Sequence, residues 1–295
     1  MLSSAAAMTH YAGNTDGRVS LKNDPHIVIN TELSTAWIQA RAFMTRHWKA
    51  LLTVWLLTNL LSSIAYVVLY PPWGSGGPGE GADSFRYSIY VVTTALIGAA
   101  GFVFVVHLAR LTAAGQQRSD YGSVLDESVR RLARYIATSL LCFVRVILWG
   151  LMAVPLLMLF SLLGIGAQSS VLATVLFSAP VMLLMALAFV RFGWGLYFTV
   201  INGDSPLWAM HHGQSMYLNN RRKTWALALI VFLVPGFLPI ADAYNIGGLG
   251  EYVHPASYVA SAWTYVASVF ATMVLTRAAA TTETADAESA TLPQE

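Results

Sequence analysis

The sequence predicts an all-α, polytopic integral membrane protein: six transmembrane helices joined by short cytoplasmic amphipathic helices. Three observations predict it. The chain is 56% hydrophobic and only 11% charged, where a soluble domain carries about 25% charged residues. Apolar runs of about 20 residues recur, and at 1.5 Å per residue each can cross roughly 30 Å of hydrocarbon. Between Arg134 and Gly203 there is no Asp or Glu at all, although the stretch is long enough to cross and return.

Residues 1–30 are polar and lack an apolar core, so they read as a flexible tail rather than a signal peptide. From Leu33 the spacing turns helical. Leu33, Ala36, Trp37, Ala40, Phe43, Met44 and Trp48 share one face, as in a helix lying on a membrane surface. Span one is residues 48–70 and stops at Pro71-Pro72, ahead of a Gly-rich loop. Span two is 87–111. Ser123 to Asp126 has the form of a capping box, opening a second amphipathic helix on which Asp126–Arg130 and Glu127–Arg131 are i,i+4 pairs.

That helix leads into span three, 133–163. Span four is 171–201 and contains Pro180. Asp204-Ser205-Pro206 is a helix start, with a capping side chain followed by Pro in the first turn. The helix that follows reaches Arg221-Arg222-Lys223. Span five, 224–241, holds Pro235 and Pro239, and span six is 255–276. The membrane domain is thus 31–277, and 278–295 is a small, polar, acidic segment expected to be a disordered tail.

Orientation follows from basic residues. Fourteen of the 17 Lys and Arg fall at one end of the spans, Arg86 alone falls at the other, and Arg145 and Arg191 lie inside spans. The positive-inside rule then places both termini in the cytoplasm of a cell whose inner (plasma) membrane holds the protein. A net charge of +2 gives no reason to expect nucleic acid. The single cysteine, Cys142, excludes an intrachain disulfide and any Cys-based metal centre. No cofactor motif is present.

One unit, an amphipathic helix followed by a membrane hairpin, is written three times. The columns at 0, +1, +4 and +7 read Ala36, Trp37, Ala40, Phe43 in the first helix and Ala209, Met210, Gly213, Met216 in the third. Ser128, Val129, Leu132, Tyr135 in the second is a looser match. Amphipathic spacing alone also produces such columns.

Gly203-Asp204-Ser205-Pro206, with Ala209-Met210, Gly213, Met216 and Asn219-Asn220-Arg221, resembles a motif of one bacterial family. That family is the membrane domain found fused to glycerophosphodiester phosphodiesterases, with its stand-alone relatives. There a Gly/Pro turn opens an Ala-Leu-x-x-Ser-x-x-Leu-x-x-Gly helix before a span. This chain has Gly213 in place of Ser, Met216 in place of Leu and Asn219 in place of Gly. The resemblance implies an all-helical inner-membrane protein and no activity, since the phosphodiesterase domain is absent from this sequence.

Catalytic constellations are hard to find. Asp126-Glu127-x-x-x-Arg131 superficially resembles the Glu-Glu-x-x-x-Arg signature of intramembrane CaaX-type proteases, but Phe104 and His107 are one residue too close for the companion Phe-x-x-x-His motif. Helix-surface ion pairs are the simpler reading of the acidic residues. His107, one turn from the basic end of span two, can reach the interface. His211 and His212 are adjacent and diverge on a helix, so they suit headgroup level better than a shared metal. Nothing indicates an enzyme.

The candidate site is Arg145 with Arg191. Counted from a turn at Ala167, they lie 22 and 24 residues away, so both heads sit at similar depth. Trp149 at i+4 and Trp194 at i+3 offer each arginine an aromatic face. Two readings fit: both side chains snorkel to cytoplasmic headgroups, or together they grip an anionic group through paired hydrogen bonds. The expected partners are membrane lipids, anionic by charge, and either a membrane-protein partner or a second copy of the chain. The function expected is lipid-headgroup binding or scaffolding without catalysis. Transport of a small anionic or amphiphilic substrate is the alternative.

Overall fold

A computed structural model describes residues 29, 32–69, 82–116, 120–162, 171–233 and 255–291. Every regular element among the described residues is helical: α1 (Leu33–Leu69), α2 (Ala82–Ala113), α3 (Tyr121–Leu151), α4 (Val154–Leu162), α5 (Val171–Phe192), α6 (Gly195–Ile201), α7 (Pro206–Asn219), α8 (Arg221–Ala228), a π-helical turn (Leu229–Leu233) and α9 (Pro255–Thr291). Among the described residues five segments are long and apolar enough to cross a membrane: Leu33–Leu69, Ser88–Ala113, Tyr121–Leu151, Pro180–Ile201 and Tyr258–Ala278. Span five is described only as far as Leu233, and the rest of it lies outside the described residues.

The first amphipathic helix and span one form one element, bent at His47, whose φ of −107° and ψ of 17° are not helical. Helix α3 begins three residues before the expected capping box. Asp120 is the N-cap and accepts a hydrogen bond from the Gly122 N–H at 3.0 Å, while the Ser123 hydroxyl donates to the Asp120 carbonyl at 3.0 Å. An Asp at the N-cap satisfies the same orphan donors one turn earlier.

Spans three and four are each broken rather than continuous. At Met152 and Ala153 the N–H groups turn back to the Trp149 and Gly150 carbonyls at 3.1 and 3.0 Å, a tighter winding that precedes Pro155. Proline has no N–H for the ladder and crowds the preceding turn. Span four breaks at Gly193-Trp194, where Leu196 N–H bonds to the Gly193 carbonyl at 3.1 Å. Helix α6 then ends at Ile201, with Asn202 as its C-cap, and Gly203 follows with a φ of +76°, the left-handed conformation that favours glycine. Helix α7 starts at Pro206 as expected, but the Ser205 side chain makes no capping bond. Helix α9 runs past Arg277 to Thr291, through much of the stretch whose polarity argued for a tail. The alanine-rich run after Arg277 has high helix propensity and continues the helix without a breaker.

Helix α2 is central and packs against α1, α3, α6 and α9. Its Val103, Val105, Val106, Leu108 and Ala109 are fully or almost fully buried. Burial concentrates where the amphipathic helices meet the basic ends of the spans. Towards the other end α1 exposes Leu56, Leu60, Val67 and Val68, and α3 exposes Leu148, followed by exposed Met152 at its C-cap, apolar side chains of the kind a bilayer covers. Helices α6 and α7 cross at two glycines. A Cβ placed on Gly213 would meet the Gly195 backbone nitrogen at 2.7 Å, so the close approach requires a residue without a side chain.

Of the columns that suggested a repeat, three positions behave alike in the first and third helices. Ala36, Ala40 and Phe43 are buried in α1, and Ala209, Gly213 and Met216 in α7. The +1 column does not hold, since Met210 is buried but Trp37 and Val129 are exposed. Each first-turn face is also followed by a bend. Asn220, between α7 and α8, has φ −135° and ψ 41° and stands in the same register as His47.

Candidate anion site at the α3–α5 crossing

The candidate site grows out of the packing of α3 on α5. Cys142 and Val146 of α3 bury against Ala188 and Phe192 of α5 and Met210 of α7. This places the next residues on each helix, Arg145 and Arg191, on the same flank of the crossing. The Arg145 guanidinium carbon lies 5.0 Å from the centroid of the Phe192 ring, and that of Arg191 lies 5.5 Å from the same ring. Arg191 is also 5.4 Å from the Trp149 ring, which meets Phe192 edge-on at 6.2 Å. Two cations thus converge on one aromatic pair.

The pairing differs from the one spacing suggested. Arg145 does not sit on Trp149, nor Arg191 on Trp194. Each reaches across the crossing, because the long side chain extends further than the pitch of one turn. Trp194 falls in the break after α5, which rotates it into the core. It is wholly buried, packs against Phe232 at 5.1 Å and Tyr197 at 5.8 Å, and belongs to the interior rather than to the arginine pair. Phe192, the shared platform, was not singled out from sequence, although its position one residue after Arg191 was a usable signal. The turn at Ala167 from which depth was counted lies outside the described residues.

Neither guanidinium has a carboxylate within ion-pair distance among the described residues, and the Arg191 Nε is buried without a hydrogen-bond partner. Burying a guanidinium donor without an acceptor is unfavourable. The aromatic faces offset part of that cost, and an anion would supply the missing acceptors.

A second polar cluster lies where α2, α3 and α6 meet. The expected ion pairs are present: Arg130 to Asp126 at 2.8 Å and Arg131 to Glu127 at 2.5 Å. Arg131 also donates to the carbonyls of Val200 and Ile201, and Arg134 donates to that of Gly203 at 2.7 Å. These carbonyls end α6 and lack helical partners, so the arginines act as its C-terminal cap. His107 does not reach an interface. It is wholly buried, with Nε2 3.2 Å from Glu127 Oε2. On α7, His212 contacts Asp204 at 2.7 Å, and the His211 and His212 rings are 6.5 Å apart.

Among the described residues the chain is all-helical, with five helices long and apolar enough to cross a membrane and an arginine pair set between two of them. Comparison with family models, with curated proteins and with solved structures returns no match.

Proposed function

We propose that this chain is a non-enzymatic integral membrane protein that holds an anionic lipid headgroup between Arg145 and Arg191. One observation carries the reading: among the described residues both guanidinium groups share the Phe192 ring with no carboxylate beside them, and Arg191 Nε is left without an acceptor. Arginine grips phosphate or carboxylate through a planar fork, whereas lysine offers a point charge. Mass spectrometry of the protein purified in mild detergent tests this. Wild type is expected to retain anionic phospholipid, and Arg145→Lys and Arg191→Lys each to lose it, as do the Gln variants. Retention of the lipid when both positions are Lys means the arginines merely snorkel, and the shared site is then abandoned.

The breaks at Met152-Ala153 and Gly193-Trp194 favour a second reading, transport of a small anion or amphiphile, since discontinuous helices flank many transporter sites. Uptake of a labelled anion into proteoliposomes, abolished by Arg191→Gln, is the result that would select it.

The proposed architecture is six spans in an inner membrane, both termini cytoplasmic, in three helix-plus-hairpin units. The burial pattern shared by α1 and α7 supports the units, as does a ring of contacts between them. His47 reaches Tyr121 at the start of unit two, Arg134 reaches Gly203 at the start of unit three, and Asn220 accepts from the Ile29 N–H ahead of unit one. The likeness to the membrane domain of phosphodiesterase fusions is part of the same proposal, resting on the turn at Gly203 and the buried face of α7.

A further inference from the structure

The spans contain no carboxylate between Arg134 and Gly203, so a proton-binding group has to come from elsewhere. The structure brings one in from the amphipathic part of α3. His107 is wholly buried in α2, and neither ring nitrogen makes a hydrogen bond among the described residues. Its Nε2 is nevertheless 3.2 Å from Glu127 Oε2, while Glu127 Oε1 is held by Arg131 at 2.5 Å. The Glu127 side chain is 39% exposed and, with Arg130, Arg131, Arg134 and Asn202, lines a polar cavity of about 530 Å³. One carboxylate therefore faces a buried imidazole with one oxygen and borders an open polar cavity.

We propose that His107 and Glu127 form a proton-binding site filled from this cavity, and that α6 responds to its occupancy through Arg131. A proton from cavity water arrives on Glu127 and passes from Oε2 to His107 Nε2. The carboxylate returns to its charged form and the imidazole becomes an imidazolium. A buried imidazolium is tolerated only beside a counter-charge, so the loaded site draws Glu127 towards α2. Arg131 then shares its carboxylate with a second cation. Its other contacts are the Val200 and Ile201 carbonyls, so the cap on α6 changes with the proton. The charged groups acting on His107 are Glu127 and Arg131 from α3 and Arg110 on its own helix. The other elements packed on α2, namely α1, α6 and α9, contribute none among the described residues.

The site is separate from the arginine pair and stands whether or not that pair binds lipid. The test uses the full chain in nanodiscs with labelled histidine, followed by NMR from about pH 8 down to about pH 2.5, so that a buried imidazole is still followed past its midpoint. The signal absent from His107→Asn belongs to His107. It is expected to titrate, and amide protection across Gly195–Ile201 to fall several-fold with the same midpoint. In His107→Asn that change in α6 disappears. Glu127→Gln, which keeps the shape of the site, must displace the His107 midpoint. A His107 signal that does not titrate, a midpoint unmoved by Glu127→Gln, or an α6 response that survives His107→Asn each overturns the proposal.

Discussion

Arg191 lies 5.4 Å over the ring of Trp149, a residue of the facing helix, and not over Trp194 on its own side of the chain. The end of α5 is therefore tied to α3 by a cation–π contact, worth about 0.5–2 kcal/mol depending on how dry the site is. A double-mutant cycle with Trp149→Leu and Arg191→Met, read by denaturant unfolding in detergent, is expected to show coupling of that size. Trp194→Leu should cost more by itself, because it opens a cavity in a core where Trp194 is wholly buried. It should show no coupling to Arg191. Additive effects of Trp149 and Arg191 would mean the contact contributes nothing.

The α6–α7 crossing gives a sharper structural prediction. Gly213→Ala places a methyl carbon 2.7 Å from the Gly195 nitrogen, and backbone cannot move aside as a side chain can. Overpacking of this kind costs roughly 1–3 kcal/mol, seen as a lowered thermal midpoint. Gly98→Ala is the control. A Cβ there meets nothing within 4 Å, so that variant should be neutral or slightly more stable through helix propensity.

Much of this fold was legible because lipid-spanning helices leave a coarse signal. Apolar length located the five candidate spans, and Pro206 marked the start of α7. The breaks at Ala153 and Gly193 were less legible. Proline and glycine occur within many spanning helices, and whether the ladder closes again depends on neighbours that periodicity does not name. The site was legible to the same extent. Lone charge in an apolar span singled out Arg145 and Arg191, and equal depth brought them level. Their aromatic partners could not be read from spacing, since i+3 and i+4 rules describe one helix, while these side chains cross to another. His107 was misplaced for the same reason: a histidine near a span end reaches solvent only if no helix covers it, and α3 covers this one.

The proposed orientation is checked by thiol labelling. In a Cys142→Ser background, cysteines at Ser75 and Gly247 should react with an impermeant reagent on intact cells, and cysteines at Ser119 and Asn219 should not. The motive is the basic-residue asymmetry, fourteen of 17 at one end. Reversed labelling would invert the protein and move every basic helix to the outer face.

The proposed repeat is tested at its bends. His47 and Asn220 share a register: each lies eleven residues after the first buried alanine of its helix, Ala36 or Ala209. Both leave helical geometry, and both reach across to what would be another unit. His47 Nδ1 is 3.1 Å from the Tyr121 hydroxyl, and Asn220 Oδ1 accepts from the Ile29 N–H at 2.9 Å. The corresponding residue of the second proposed unit is Ser139, where α3 runs on without a bend and the hydroxyl donates to the Tyr135 carbonyl at 2.9 Å; among the described residues its hydrogen bonds stay within α3. If the bends are joints between units, His47→Ala and Asn220→Ala each remove an inter-unit hydrogen bond and should cost about 1 kcal/mol. Ser139→Ala should cost close to nothing, since back-bonding to the preceding turn does not stabilise a helix. Equal losses at all three positions, measured by unfolding in the same detergent, would mean that the shared register of His47 and Asn220 reflects amphipathic spacing alone.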